Sequence, residues 1–254
     1  MILVRYKNNI NVLLLENEEK PIISNGQRVF LRQDASEVDM ETVDIIVQTA
    51  INRIRTVYGS LSVIFDKKNI LYTDQYGIRT MATDGVNIFI NPAWTERVIN
   101  LVYAAFGGDD PDADVATQEM AEEKAVSAIT YVLIHECLHI VFDHCYEYNE
   151  NKDRYKGDFD RVNIAQDMEI NYVIENYFTD LDGAKEFEGV TNILKGMFNK
   201  EYGDRGMRWD AIYDELKKQK IKTSEDWKRG FSDAYNKVLK DLRNKHLIEH
   251  YDIR

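Results

Sequence analysis

Apolar positions recur along this chain with two different periods, and the switches between them mark out the elements. Short β-type runs at Ile2–Tyr6, Asn11–Leu15 and Arg28–Arg32, broken by Pro21 and Asn25-Gly26, predict a small antiparallel β element. Ser36 to Asp39 resembles a capping box and opens a helix to about Val57, with Val43, Ile46, Val47, Ala50, Ile51 and Ile54 on one face. Leu61–Phe65, Ile70–Thr73, Gly77–Met81 and Val86–Ile90 then read as short strands of a meander, with Thr83-Asp84-Gly85 at one turn. Asn91-Pro92 stops the last strand, and Trp94–Phe106 returns to a helical period.

Gly107 to Val115 carries Asp109, Asp110, Asp112 and Asp114 but lacks the order and closing glutamate of a calcium loop. It is expected to be a solvated loop ending in a helix N-cap. One long helix is predicted from Thr117 to about Tyr148. Around Ile129, Val132, Leu133, Ile134, Leu138, Ile140, Val141 and Phe142 it is apolar on nearly every side, the mark of a buried helix. Asp160 is the expected N-cap of a helix from Arg161 to Phe178. An irregular stretch at 183–206 follows, and Trp209–Lys218 and Ser224–Lys245 read as amphipathic helices.

These elements predict an α+β fold, a small antiparallel or mixed sheet packed on a buried helix and further helices. Residues 1–40 form a β-rich extension, 41–217 the main domain and 218–254 a helical C-terminal extension. The net charge of −12 argues against a nucleic-acid or anionic-membrane partner, since either needs a basic surface. No apolar run approaches the roughly 20 residues of a membrane span, and Arg5 with no small-residue cleavage site argues against a signal peptide. Cys137 and Cys145 fall eight residues apart on the predicted long helix, roughly 12 Å along its axis, and cannot pair. Unpaired cysteines of this kind fit a reducing cytoplasmic compartment.

The chemistry concentrates in His135-Glu136-Cys137-Leu138-His139, an HExxH pattern in a chain with five histidines. Two histidines four apart lie about 40° apart on a helix, so both imidazoles reach one metal ion. The glutamate between them is turned by about 100° and can address a metal-bound water without competing as a ligand. Buried without a metal, each unsatisfied polar group would cost on the order of 1–3 kcal/mol.

A catalytic zinc site usually takes three protein ligands. The elongated HExxHxxGxxH form is excluded, because Phe142 and Cys145 stand at its glycine and third-histidine positions. On a continuous helix Cys145 turns about 120° from His139, and His144 lies opposite His135 as a core or capping histidine. Asp143 faces the site side, as a supporting group or a solvated helix-end carboxylate. In the next helix Asp167 shares its direction with Asn163, Asn171, Ile164, Ile170 and Ile174, which is inward, whereas Glu169 falls about 160° away. Asp167 is therefore favoured as third ligand over Glu169. Tyr131 and Tyr172 are candidates to stabilise an oxyanion, with Tyr172 facing outward.

Three segments resemble the HExxH metallopeptidase domains of bacteria and phages that often precede a von Willebrand A-like domain. They are Met81-Ala82-Thr83-Asp84-Gly85 running into Val86–Ile90 and Asn91-Pro92, then Ile134 to His139 with His144 following, then Asn163-Ile164-Ala165-Gln166-Asp167 with Ile170-Asn171. Trp209 to Leu216 resembles the short helix that follows in that family. The resemblance covers roughly residues 41–217. It implies a zincin-like fold, His135, His139 and Asp167 as zinc ligands, and Glu136 as general base. The acidic loop at 107–115 looks inserted, and the von Willebrand A-like domain is replaced by about 37 helical residues, which suits a phage or mobile-element protein.

The expected function is a zinc metallopeptidase acting on a peptide or protein, with Val86–Ile90 as the edge strand that pairs with substrate. The alternative is a structural or virion-associated protein that keeps the fold, with its metal structural or lost and its terminal extensions as assembly surfaces. A metal-dependent nuclease is disfavoured by the charge of −12.

Overall fold

A computed structural model of the 254-residue chain describes residues 38–73, 78–155, 158–178, 187, 189–194 and 200–218, together with the backbone of 2–5, 11–14 and 28–31. The predicted helix at 224–245 and residues 183–186, 188 and 195–199 of the irregular stretch lie outside the described residues. The architecture is α+β and mostly helical, with a small mixed sheet. Its strands are β1 (Ile2–Arg5), β2 (Asn11–Leu14), β3 (Arg28–Leu31), β4 (Asn69–Thr73), β5 (Met81–Thr83) and β6 (Asn87–Ile90). Its helices are α1 (Met40–Val57), α2 (Gly59–Lys67), α3 (Pro92–Ala105), α4 (Val115–Val141), α5 (His144–Glu150), α6 (Phe159–Tyr177), α7 (Thr191–Leu194), α8 (Lys200–Asp204) and α9 (Trp209–Lys218).

β4, β6 and β5 form the part of the sheet packed on helices, and the backbone of β1–β3 extends it in the order β1-β2-β3-β4-β6-β5. Only β1–β2 and β5–β6 are antiparallel; β2–β3, β3–β4 and β4–β6 run parallel. The antiparallel pairing expected at the N-terminus holds for β1–β2 but not for β3, and of the expected meander only the β5–β6 hairpin forms, because β4 pairs in parallel with β3 and β6. α1 and α2 supply the crossover that two parallel strands, β3 and β4, require. β4 is buried at all five residues, as expected of a parallel strand covered on both faces. Asn69, inside it, is matched by Asn87 across the ladder at 2.9 Å.

Leu61–Phe65, expected as a strand, lies inside α2. Leu61 and Phe65 are buried one helical turn apart while Val63 between them is exposed, so the apolar period is helical. β5 begins at Met81, where the predicted strand ended. It joins β6 through a turn in which the Asp84 carboxylate accepts from the N–H groups of Val86 and Asn87 at 2.8 and 2.6 Å. Gly85 sits there at φ +84, a conformation costly for residues with a Cβ.

Three helices start on short polar caps, α1 on the last residue of the expected capping box. Asp39 caps α1 through the N–H of Thr42, Asn91 caps α3 through that of Trp94, and Asp114 caps α4 through that of Thr117. Asp158, not Asp160, precedes α6, and its carboxylate accepts from Arg161 and the Tyr213 hydroxyl instead of capping the helix.

α4 is the centre of the main core, packed by α1, α3, α6 and β5. By length and hydropathy it could cross a membrane, yet 67% of its apolar window is buried inside the fold. A second, smaller core forms where α6 meets α9, around Tyr155, Val162, Met168, Trp209, Ile212 and Tyr213. α6 thus lies between two cores, one face toward the HExxH helix and the other under α9.

Candidate metal centre

His135, Glu136 and His139 stand in the last two turns of α4. The helix ends two residues later, before the predicted Tyr148, because Asp143 adopts φ 55, ψ 28 and starts α5 in a new direction. Neither glycine nor proline marks this bend. Aspartate is among the few residues that enter the left-handed region at modest cost, so the sequence carries only a faint signal of it.

The bend corrects two expectations and decides a third in favour of the solvated helix-end carboxylate. His144 does not point away from the site, since its Nδ1 lies 3.0 Å from Nδ1 of His139 and its side chain is buried. Cys145 is on a different helix from Cys137, and its thiol donates to the Thr83 carbonyl at 3.5 Å. Asp143 itself is exposed at the corner.

α6 brings the third group. Nε2 of His135 and Nε2 of His139 are 3.1 Å apart, and each is 3.3 Å from Oδ1 of Asp167. Ligand atoms held at about 2.0–2.1 Å by a tetrahedral zinc lie roughly 3.3–3.4 Å from one another, so this donor set fits such an ion. The set also suits a cation, because two ring nitrogens that can each offer a lone pair and a carboxylate oxygen converge on one partly enclosed point. Among the described residues these three form the one cluster of its kind.

The remaining oxygen of Asp167 accepts from Asn163 Nδ2 at 3.1 Å. The carbonyl Oδ1 of Asn171 accepts from Nδ1 of His135 at 2.8 Å and from the Tyr131 hydroxyl at 3.0 Å. An amide oxygen has no proton to give, so Nδ1 of His135 carries one and Nε2 is left to bind the ion. Asn163 and Asn171 flank Asp167 by one helical turn each and were visible as neighbours on its face in the sequence.

Glu169 does not face outward as expected. α9 packs over that side of α6, and Glu169 accepts from the backbone N–H of Trp209 at 3.0 Å, outside the ligand cluster. Tyr172 does face outward and donates to Asp204 at 3.1 Å, which removes it as an oxyanion donor. Tyr131 is committed to Asn171 beside His135.

Burial sets the charges in the metal-free site. It pushes the Glu136 carboxyl up to about 7, against the opposing pull of His135. Burial also draws His135 down, but the hydrogen bond and charge of Asp167 outweigh it and lift His135 to about 9. His139, with burial dominant, falls to about 4. Burial would raise Asp167, yet its hydrogen bonds to the two histidines hold it well below the usual carboxylate range. Without a metal the centre is therefore a half-buried His135–Asp167 ion pair beside a neutral His139.

A pH prediction follows from that pair. Between 6.5, the ordinary value, and about 9 the folded chain holds a proton on His135 that the unfolded chain has lost, so stability falls as pH rises through this window. Below it, His139 works in the opposite sense and Glu136 partly cancels that effect. Chelator-treated protein should melt lower at pH 9 than at pH 6.5; an unchanged or higher Tm would contradict the ion pair.

Comparison of the chain with protein-family models, with curated proteins and with solved structures gives no match, and no family is assigned.

Proposed function

We propose that this chain is a zinc-dependent peptidase with a zincin-like fold. Support comes most directly from three ligand atoms, on His135, His139 and Asp167, converging beside the buried carboxyl of Glu136. When bound, zinc would polarise the scissile carbonyl and bring the pKa of a coordinated water toward 7. Glu136 would accept a proton from that water and return it to the leaving nitrogen, and a carboxyl titrating near neutrality suits both transfers.

Extended substrate would pair with the sheet at β5. β6, the strand expected from sequence, is enclosed between β4 and β5, so it has no free edge. Asn91 N–H bonds to Thr80 O and Asp84 N–H to Asn87 O, which directs the main-chain groups of residues 80, 82 and 84 toward β6. Those of Met81 and Thr83 face the other way, with the Thr83 carbonyl engaged by Cys145 beside the metal-centre helix. A peptide added there would be held by main-chain bonds, giving affinity with little sequence dependence.

The test is metal analysis of purified full-length chain beside His139→Ala, together with cleavage of a fluorogenic peptide library. About one zinc per chain and metal-dependent cleavage are expected for the wild type, and both should be lost in His139→Ala. Wild-type protein that keeps no metal after equilibration with zinc at neutral pH would overturn the proposal. A stoichiometric metal other than zinc would correct the cofactor.

A further inference from the structure

We infer that His144 and Glu169 form a positioning chain that fixes the proton of His139 on Nδ1, and that α9 completes this chain; the inference rests on the metal-centre reading above. It begins with a proton count. The Nδ1 atoms of His139 and His144 face each other at 3.0 Å, so one proton lies between them and belongs to one ring or the other. If His139 owns it, the Nε2 lone pair of His139 is free for the ion. If His144 owns it, neutral His139 is protonated on Nε2, where it would meet Nε2 of His135 and block binding.

Glu169 decides between these states. Nε2 of His144 is buried and makes no hydrogen bond among the described residues, and Oε2 of Glu169 lies 3.4 Å away. A carboxylate can only accept, so it favours the tautomer in which Nε2 of His144 carries a proton and Nδ1 is left as an acceptor. That acceptor is what His139 requires. The opposite tautomer would set a buried lone pair against a carboxylate with nothing to compensate it.

The chain is held at its far end by α9. Oε2 of Glu169 accepts from the Trp209 N–H at 3.0 Å. Trp209 is fixed in turn: its indole Nε1 donates to Glu147 at 2.8 Å, and Arg208 donates to both oxygens of the same carboxylate at 2.7 Å. The Trp209 ring also meets the His144 imidazole edge-on, with centroids 6.2 Å apart. Gln166 steadies the backbone by donating to the His144 carbonyl at 3.3 Å. Supports of this kind around a metal-binding histidine are worth about 10–100-fold in affinity.

The test uses full-length protein and two readouts. Proton–nitrogen correlation spectra of the histidine side chains should show His144 protonated on Nε2, with and without zinc, and His139 protonated on Nδ1 in the zinc-loaded chain. In Glu169→Leu no acceptor faces Nε2 of His144, and the tautomer with its proton on Nδ1 should appear. Competition with a chelator should show zinc bound about 10–100-fold more weakly by His144→Phe, which has no acceptor. His144→Asn, which restores an oxygen near the Nδ1 position, should recover part of the loss.

His144 found with its proton on Nδ1 in wild type would overturn the inference. So would equal zinc affinity in His144→Phe and wild type, or a His144→Asn no better than His144→Phe. A wild type that binds no zinc would instead defeat the peptidase proposal, and the spectra of the zinc-free chain would still judge the tautomer.

Discussion

Glu136→Gln is expected to lower peptide cleavage by about 10²–10⁴-fold, the usual contribution of a general acid–base group, while zinc stays at about one per chain. Glutamine has nearly the same shape and none of the ligand atoms belongs to residue 136, so the ion should remain. A carboxamide cannot take a proton from water, so the reaction loses its base. The fold should not suffer. Burial disfavours the ionised carboxyl, which is why it titrates up to about 7, and the neutral amide avoids that cost above neutrality. Metal-free Glu136→Gln should therefore melt no lower than wild type at pH 8. Cleavage at wild-type rate by the glutamine variant would remove Glu136 from the mechanism.

Asp167→Ala should be the most damaging change to the centre that leaves the HExxH helix untouched. It deletes one of three converging ligand atoms, and on the scale of zinc-site affinities this should cost on the order of 3 kcal/mol, about a hundredfold or more. The metal-free chain should also be destabilised, because His135 loses its half-buried partner. With Asp167 gone, His135 should no longer hold its proton above its ordinary range, and the loss of stability between pH 6.5 and 9 should flatten. Glu169→Ala should weaken zinc less than Asp167→Ala, since its carboxylate reaches the site only through His144. Equal effects of the two substitutions would overturn the ligand assignment.

What the sequence disclosed depended on how local the determinant was. The HExxH spacing, the inward face of Asp167 with Asn163 and Asn171, and the buried face of α1 each depend on residues within a turn or so. All were legible. Strand order was not, because β4 and β6 pair across an intervening strand and nothing at Asn69–Thr73 announces its partner. The placement of His144 failed for a related reason. A continued helix turns it away from His135, and one left-handed residue, Asp143, reverses that. Glu169 was misplaced because helical geometry says which way a side chain points but not what arrives there. Here it is α9, which covers a face that a lone α6 would leave to water.

The position of α9 also has a meaning in time. Forty residues separate Glu169 from Trp209, and ribosomes add about 5–20 residues per second. The three ligands therefore emerge seconds before the segment that closes over Glu169. A nascent chain would thus hold the three candidate ligands before Trp209 arrives to fix the carboxylate behind His144, so the site is assembled first and braced afterwards.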